Sequence, residues 1–371
     1  MGDMTDSLIL FTEASRMLAE ANTIVKAKEL MDLALTAADW AKRKGMGDKA
    51  IQYARSYALE AERRMGQLLK DTERAVGTDK AGRTTIDGDR ILPSNPPQTL
   101  AELGLTKRDS AEAQKLAELP QETFDEVKDG SKTLAEVKRE INLEKRKERI
   151  IKETKAQIQE QPIIMQTDSS AIWDSIPPID LLIADPPYFT DGDFTSLVSD
   201  YLGKVKPTGQ AYIFTSGDPK EIAAYLSIDR WGMILSQILV WNYNNAGQRQ
   251  PNDRYNSNYQ LILYYRGVEA APINKPSDGT HQYACQTINA PDGRIGDRWH
   301  EWQKPIELIE RLILNSSRPG DFVFDPFAGT GTTLLAASKL GRKAIGCDID
   351  ADIIRIAVER GCIEGGDVKR L

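Results

Sequence analysis

The chain is poor in the two residues on which most metal centres, disulfides and thiol nucleophiles depend: its 371 residues include 3 Cys and 2 His. The cysteines (Cys285, Cys347, Cys362) form no C-x-x-C pair and the histidines (His281, His300) stand apart from them, so neither a disulfide framework nor a Cys/His zinc site is expected. This is the cysteine usage of a reducing compartment, and a cytoplasmic location is expected. Long apolar runs are missing too. None reaches the ~18 residues of a membrane span, and the opening MGDMTDSLIL puts acids where an export signal needs a basic flank, so no membrane role and no secretion are expected. Positive charge is in deficit, with Lys+Arg 48 against Asp+Glu 55 and a net charge of -7. That balance weighs against a polyanionic partner unless the basic residues gather on one face. What is present is a globular composition, 40% hydrophobic and 28% charged, at a length that predicts two or three domains.

Residues 8–70 are rich in Ala, Leu, Glu, Arg and Met, with apolar positions three and four apart and no Pro, which predicts two or more amphipathic helices in an N-terminal region over 1–75. The Gly, Asp, Asn and Pro content that follows predicts a flexible loop over 76–98. Helices resume over 99–161. Within 99–119, Gly104 separates two short helical patterns as in a helix-turn-helix, although Ser110 and Ala113 fill positions where that motif usually carries larger apolar residues; a plain helical hairpin is the alternative. Residues 138–161 read as a mixed-sign connector helix, with a domain boundary near Gln161.

From 162 to 371 short β-branched runs alternate with helical patterns, the grammar of an α/β domain with a mainly parallel sheet. Strands are expected at 163–166, 180–184, 210–215, 234–241, 259–265, 322–324 and 343–347, and a helix at 305–315 with Pro305 in its first turn. Two strand ends carry chemistry. In IDLLIADPPYFT (179–190) an apolar strand delivers Asp185 to its carboxyl end, where open α/β sheets bind ligands. Pro186 and Pro187 stiffen the turn, Asp185 and the carbonyls are acceptors, and Tyr188 offers a flat stacking face. Such a set complements an exocyclic amine on a flat ring, although a D-P-P turn after a buried strand explains the tetrapeptide equally well. In DFVFDPFAGTGTTLLAA (321–337) a strand ends at Asp325 and runs into a turn with Gly329 and Gly331 before a helix near Thr332. A phosphate-binding P-loop is excluded because Thr332 and Thr333 stand where Lys-Ser/Thr is needed, and the dinucleotide fingerprint fails at Leu334. The next strand ends in Asp348, an acid suited to ribose hydroxyls, and Asp168 follows the strand at 163–166.

Together these residues resemble the amino-methylating DNA methyltransferases that use S-adenosylmethionine, over roughly 163–356. Asp185-Pro186-Pro187-Tyr188 matches the family's DPPY catalytic motif and Phe327-Ala328-Gly329-Thr330-Gly331 its F-x-G-x-G cofactor motif. Lys304-Pro305 before IELIERLILNSS looks like the segment that packs beside the methionine part of the cofactor, with His300-Glu301-Trp302 where the family usually has His-Pro-Thr. The DPPY motif precedes the cofactor motif, the order of the permuted class called beta. The resemblance implies a Rossmann-like methyltransferase sheet with helices on both faces, preceded here by an all-helical N-terminal domain. It assigns the cofactor to Asp168, Lys304, Pro305, Asp325, Phe327, Gly329, Gly331, Thr332 and Asp348, with Asp367 as the alternative to Asp168 at the adenine. It also implies double-stranded DNA as partner, base flipping, no metal, and target reading by residues 242–302. The N-terminal helices resemble segments of phage and plasmid proteins and could bind DNA, dimerise the chain or recruit a partner; no cognate restriction enzyme is specified.

The expected reaction is methyl transfer to N6 of adenine, with N4 of cytosine the nearest alternative because both are exocyclic amines. C5 methylation of cytosine is excluded, since Ala284, Gly346 and Gly361 precede the three cysteines where a Pro-Cys nucleophile is needed. More distant readings are a methyltransferase of RNA or of a protein amide, and a DNA-binding regulator with a vestigial catalytic domain. The residues 189–194 are a candidate cover over the extruded base, and Asp350 and Asp352 read as helix-start acids.

Overall fold

Local sequence rules account for most of the elements in the computed structural model, which describes residues 16–72, 99–187, 194–228, 230–245, 255–274 and 283–365. Contacts divide the chain into two units, Met1–Ile141 and Asn142–Leu371. In the first, Thr23 caps α1 (Ile24–Arg43), whose buried stripe Ile24, Ala27, Leu30, Ala34, Ala38 and Ala41 repeats every three or four residues. Small residues along that stripe let α1 lie close to α2 (Asp48–Asp71). Gly66 of α2 has no room for a side chain, because a Cβ there would fall 1.9 Å from the Ala113 carbonyl oxygen of α3 (Lys107–Glu118). That close approach accounts for the small, buried Ala113; Ser110 is buried too, with its hydroxyl accepting from Gln114 Nε2 at 2.8 Å.

The first of the two short helices expected in 99–119 does not form. Residues 100–104 make one hydrogen-bonded turn, capped by Thr99 and Glu102 and closed by Gly104 at φ +65°. The adjacent helices are instead α3, with a Thr106/Asp109 capping box, and α4 (Gln121–Asp129). The long α5 (Leu134–Gln157) buries only Val137, and the division between the units falls inside it.

The second unit is built on a nine-stranded sheet: β1 (Pro162–Gln166), β2 (Ile179–Ala184), β3 (Val205–Thr215), β4 (Ile234–Asn242), β5 (Tyr259–Arg266), β6 (Cys285–Thr287), β7 (Phe322–Asp325), β8 (Lys343–Asp348) and β9 (Ile363–Glu364). Their order is β6-β4-β5-β3-β2-β7-β8-β1-β9. All neighbours are parallel except β3/β5 and β4/β5. Central strands such as β2 and β7 are apolar runs because both faces are covered. One face packs on α8 (Ile306–Ser316), α9 (Thr332–Lys339) and α10 (Ala351–Arg360). The other packs on a 3-10 helix (Ser169–Ser175), α6 (Phe194–Lys204) and α7 (Pro219–Ser227). The α/β sheet with helices on both faces is as expected. Two edge strands, β6 and β9, were not anticipated, since two or three residues show no periodicity.

Candidate active site

Parallel neighbours bring four acids to one edge. Asp185, Asp325, Asp348 and Asp168 end or follow β2, β7, β8 and β1, which are consecutive in the sheet. The register sets Leu182 beside Phe324, Asp325 beside Gly346, and Asp348 beside Gln166. Gly346 permits that approach, because a Cβ there would lie 2.6 Å from the Ala328 Cβ and 2.8 Å from the Asp325 carbonyl oxygen.

Asp325 is buried, and its carboxyl group is pushed up to about 7. Desolvation is the main cause and the charges of Asp185 and Asp348 add to it, against hydrogen bonds from the Thr333 hydroxyl and the Phe327 N–H. An acid raised on folding favours the folded state fully below its unfolded value of 3.8, and this contribution is lost as pH rises towards 7. Stability of the wild type relative to Asp325→Asn is therefore expected to fall between about pH 4 and 7; denaturant midpoints at stepped pH check this, and a parallel pair of profiles contradicts it.

The glycine turn after β7 wraps this edge. Ala328 N–H donates to the Cys347 carbonyl at 2.9 Å and Gly329 N–H to Asp348 Oδ2 at 3.1 Å, tying the loop to β8. Gly329 sits at φ +51° with open space where a Cβ would project, so the backbone itself lines the cradle. Gly331, at φ +77°, is also packed, since a Cβ would fall 2.7 Å from Cys362 Sγ. Beneath the loop lies a residue that the motifs do not single out. The buried Arg360, at the end of α10, donates through Nη1 to the Thr330 carbonyl (2.6 Å), Thr330 Oγ1 (2.7 Å) and Thr332 Oγ1 (3.1 Å). Trp299 stacks over its guanidinium with 5.9 Å to the ring centroid, and Lys147 lies 5.5 Å from the same ring. No sequence signal marks Arg360, which reads as an ordinary basic residue in a last helical turn.

Asp185 lies at the end of β2 with Pro186 buried and Pro187 exposed. Lys304 Nζ donates to Asp185 Oδ2 and lies 5.2 Å from the centroid of Phe214 on β3. The lysine is thus brought to the aspartate, 119 residues away in sequence. Pro305 caps α8. Asp168 caps the 3-10 helix through Oδ1, which accepts from Ser170 N and Oγ at 2.8 and 2.6 Å, and these bonds hold its carboxyl group below the usual range. Asp350 caps α10 through Asp352 N and Ile353 N, the helix-start role expected. Tyr188, the cover at 189–193, Asp367, the loop at 76–98 and residues 246–254 and 275–282 of the 242–302 segment lie outside the described residues. Within that segment Arg294 is held by Asp292, and Tyr255, Tyr283 and Trp302 are exposed. Among the described residues, no helix is long and apolar enough to cross a membrane and no group of three His, Cys, Asp or Glu could hold a metal.

A family model described as DNA methylase, of the N6/N4 methyltransferases, matches residues 179–359. The DNA adenine methyltransferase YhdJ of Escherichia coli is 30% identical over 247 residues, 54% of this chain and 83% of that protein. The type II methyltransferase M2.LlaDCHI of Lactococcus lactis is 26% identical over 54% of this chain and 89% of its own length. Among solved structures, the M1.HpyAVI-SAM complex is 28% identical, covers 53% of this chain and 99% of that one, and has a TM-score of 0.45.

Proposed function

The chain belongs to the DNA methylase family of N6/N4 amino-methyltransferases, and from that premise we propose that it transfers a methyl group from S-adenosylmethionine to N6 of adenine in double-stranded DNA, with the target base flipped from the helix. The observation that carries the reading is the placement of Asp185 and the Gly329–Gly331 turn at the ends of adjacent strands, β2 and β7. Similarity to a protein named as a DNA adenine methyltransferase favours adenine over cytosine.

The residues present suit the methyl donor. The open position at Gly329 leaves backbone as the lining, Asp348 and Asp168 are acceptors for ribose hydroxyls and the adenine amine, and a cluster of carboxyl groups complements a cation. When bound, S-adenosylmethionine supplies an electrophilic methyl group on a sulfonium. Phe327, Gly329, Gly331 and Thr332 form the turn that would hold it, and Asp325 braces that turn through the Phe327 N–H.

On the substrate side, the aromatic amine is a poor nucleophile because its lone pair is delocalised into the ring. Asp185 and the Pro186 carbonyl accept its hydrogens, which localises the pair on nitrogen, and the stiff Pro-Pro turn keeps both acceptors in place. The rigid Pro-Pro turn confines the flat base on one side. Nitrogen sheds one proton after transfer, and Asp185 is the adjacent acceptor. Catalysis on this account is positioning and electrostatics with no covalent enzyme intermediate. The two buried thiols agree: burial raises Cys347, and raises Cys362 to about 12, so neither of these is a ready nucleophile.

Sequencing with base-modification detection on DNA from an expressing host is expected to find N6-methyladenine at one recurrent site. N4-methylcytosine without N6-methyladenine would overturn the adenine assignment. No new modification of either kind would overturn the reaction.

A further inference from the structure

The ion pair between Lys304 and Asp185 gives this lysine a partner that the Lys-Pro motif does not specify. Lys304 immediately precedes Pro305, whose ring fixes the backbone at φ -66° as the cap of α8. That helix buries Leu308, Ile309, Leu312 and Ile313, so the lysine starts from an anchored point. Its side chain is only 10% exposed, and its ammonium lies between the ring of Phe214 and the carboxylate of Asp185. Phe214 follows Ile213, which pairs with Ala184 in the residue before Asp185, so the ring and the carboxylate come from neighbouring strand ends. A lysine normally keeps its ammonium in water, because ordering the four-carbon stem costs rotamer entropy and burial costs hydration. Opposite charge and an aromatic face offset both costs here.

The surroundings explain what such a cation is for. Asp185 shares its edge with Asp325 and Asp348, and crowded carboxylates repel. A carboxylate without an anchor also rotates about its Cβ–Cγ bond, which blurs the direction in which it accepts a hydrogen bond. We propose that Lys304 is a positioning residue for Asp185: its ammonium pins one carboxylate oxygen and offsets the neighbouring negative charge, so that the acceptor for the substrate amine is oriented before the base arrives. The role rests on the methyl-transfer reading of Asp185. On this reading Lys304 acts through the aspartate rather than by its own contact with the base or the donor.

A double-mutant cycle on the full chain tests this, with Lys304→Met and Asp185→Asn made singly and together, and Lys304→Arg as the conservative variant. The readouts are Tm, S-adenosylmethionine affinity by calorimetry, and single-turnover methyl transfer to duplex DNA carrying the target site. Lys304→Met is expected to slow transfer roughly 10- to 100-fold at saturating cofactor and DNA while changing cofactor Kd less than about 3-fold. Lys304→Arg should recover most of the rate, because a guanidinium can still engage the carboxylate. In the Asp185→Asn background Lys304→Met should slow transfer by less than about 2-fold, and the Tm losses of the two single variants should be less than additive in the double. Additive effects on both rate and Tm would overturn the proposal. A cofactor Kd that weakens as much as the rate falls would also overturn it, assigning the lysine to the donor. Because the Tm cycle needs no DNA, coupled Tm values across the variants, found together with a wild-type chain that transfers no methyl group, would sink the methyl-transfer reading and the positioning role with it, while still showing the pair to form.

Discussion

Asp185→Asn is expected to cut methyl transfer by roughly three orders of magnitude while leaving S-adenosylmethionine binding within a few-fold. The substitution preserves volume and one carbonyl oxygen, so it removes charge without opening a cavity. On the proposed reaction, what is lost is the anionic acceptor that would localise the amine lone pair and receive its proton. Charge-assisted hydrogen bonds are roughly twice as strong as neutral ones, and the contact with the amine is worth most when nitrogen becomes positive. The effect should therefore fall on the rate of the chemical step at saturating substrate, with KM little changed. The substitution also leaves Lys304 without its anionic partner. Removing one member of a buried pair can cost about 3–5 kcal/mol, but the Asp185 side chain is 22% exposed and water screens part of that loss. A lower Tm with intact cofactor binding is the expected signature. Transfer at the wild-type rate would exclude Asp185 as the acceptor.

The second large effect is expected at a residue outside both motifs. Arg360→Met keeps most of the side-chain volume but removes the donor that serves the Thr330 carbonyl and two hydroxyls under the cofactor turn. Burial lowers the guanidinium to about 10, so it remains charged at neutral pH and its hydrogen bonds are of the stronger, charge-assisted kind. Losing them should cost on the order of 3 kcal/mol, because the freed acceptors are buried. For a unit of this size that corresponds to a fall of about 6–12 °C in Tm. Cofactor affinity should weaken roughly 10-fold or more at temperatures where the fold is intact, because the turn is no longer held from below. Calorimetric titration at low temperature separates the two effects. Unchanged affinity in a destabilised protein would make Arg360 a structural residue only.

These two residues differ in how visible they are. Asp185 is legible because the chemistry is local: an apolar run, an acid at its end and two prolines occupy consecutive positions, and period and turn rules assign each. The same holds for Gly329, Gly331, Asp325 and Asp348, and for the Thr106/Asp109 capping box. Of the helix pair expected around Gly104 only the second forms, because a propensity pattern of five residues cannot tell a helix from a single turn. The reason for a small residue at Ala113 is not local, since it is the close approach of Gly66 on α2, 47 residues earlier. Edge strands of two and three residues carry no period and are defined only by their neighbours.

The sequence by itself determined the family and the strand ends that carry its motifs, because the Asp-Pro-Pro turn and the glycine turn are each written in consecutive residues. Only the tertiary structure decided which acids stand side by side, that Lys304 meets Asp185 and that Arg360 lies beneath Thr330. Those contacts join residues 119 and 30 positions apart. They follow from strand order and helix packing, which are set by burial of apolar faces against one another across the whole unit rather than by any local period.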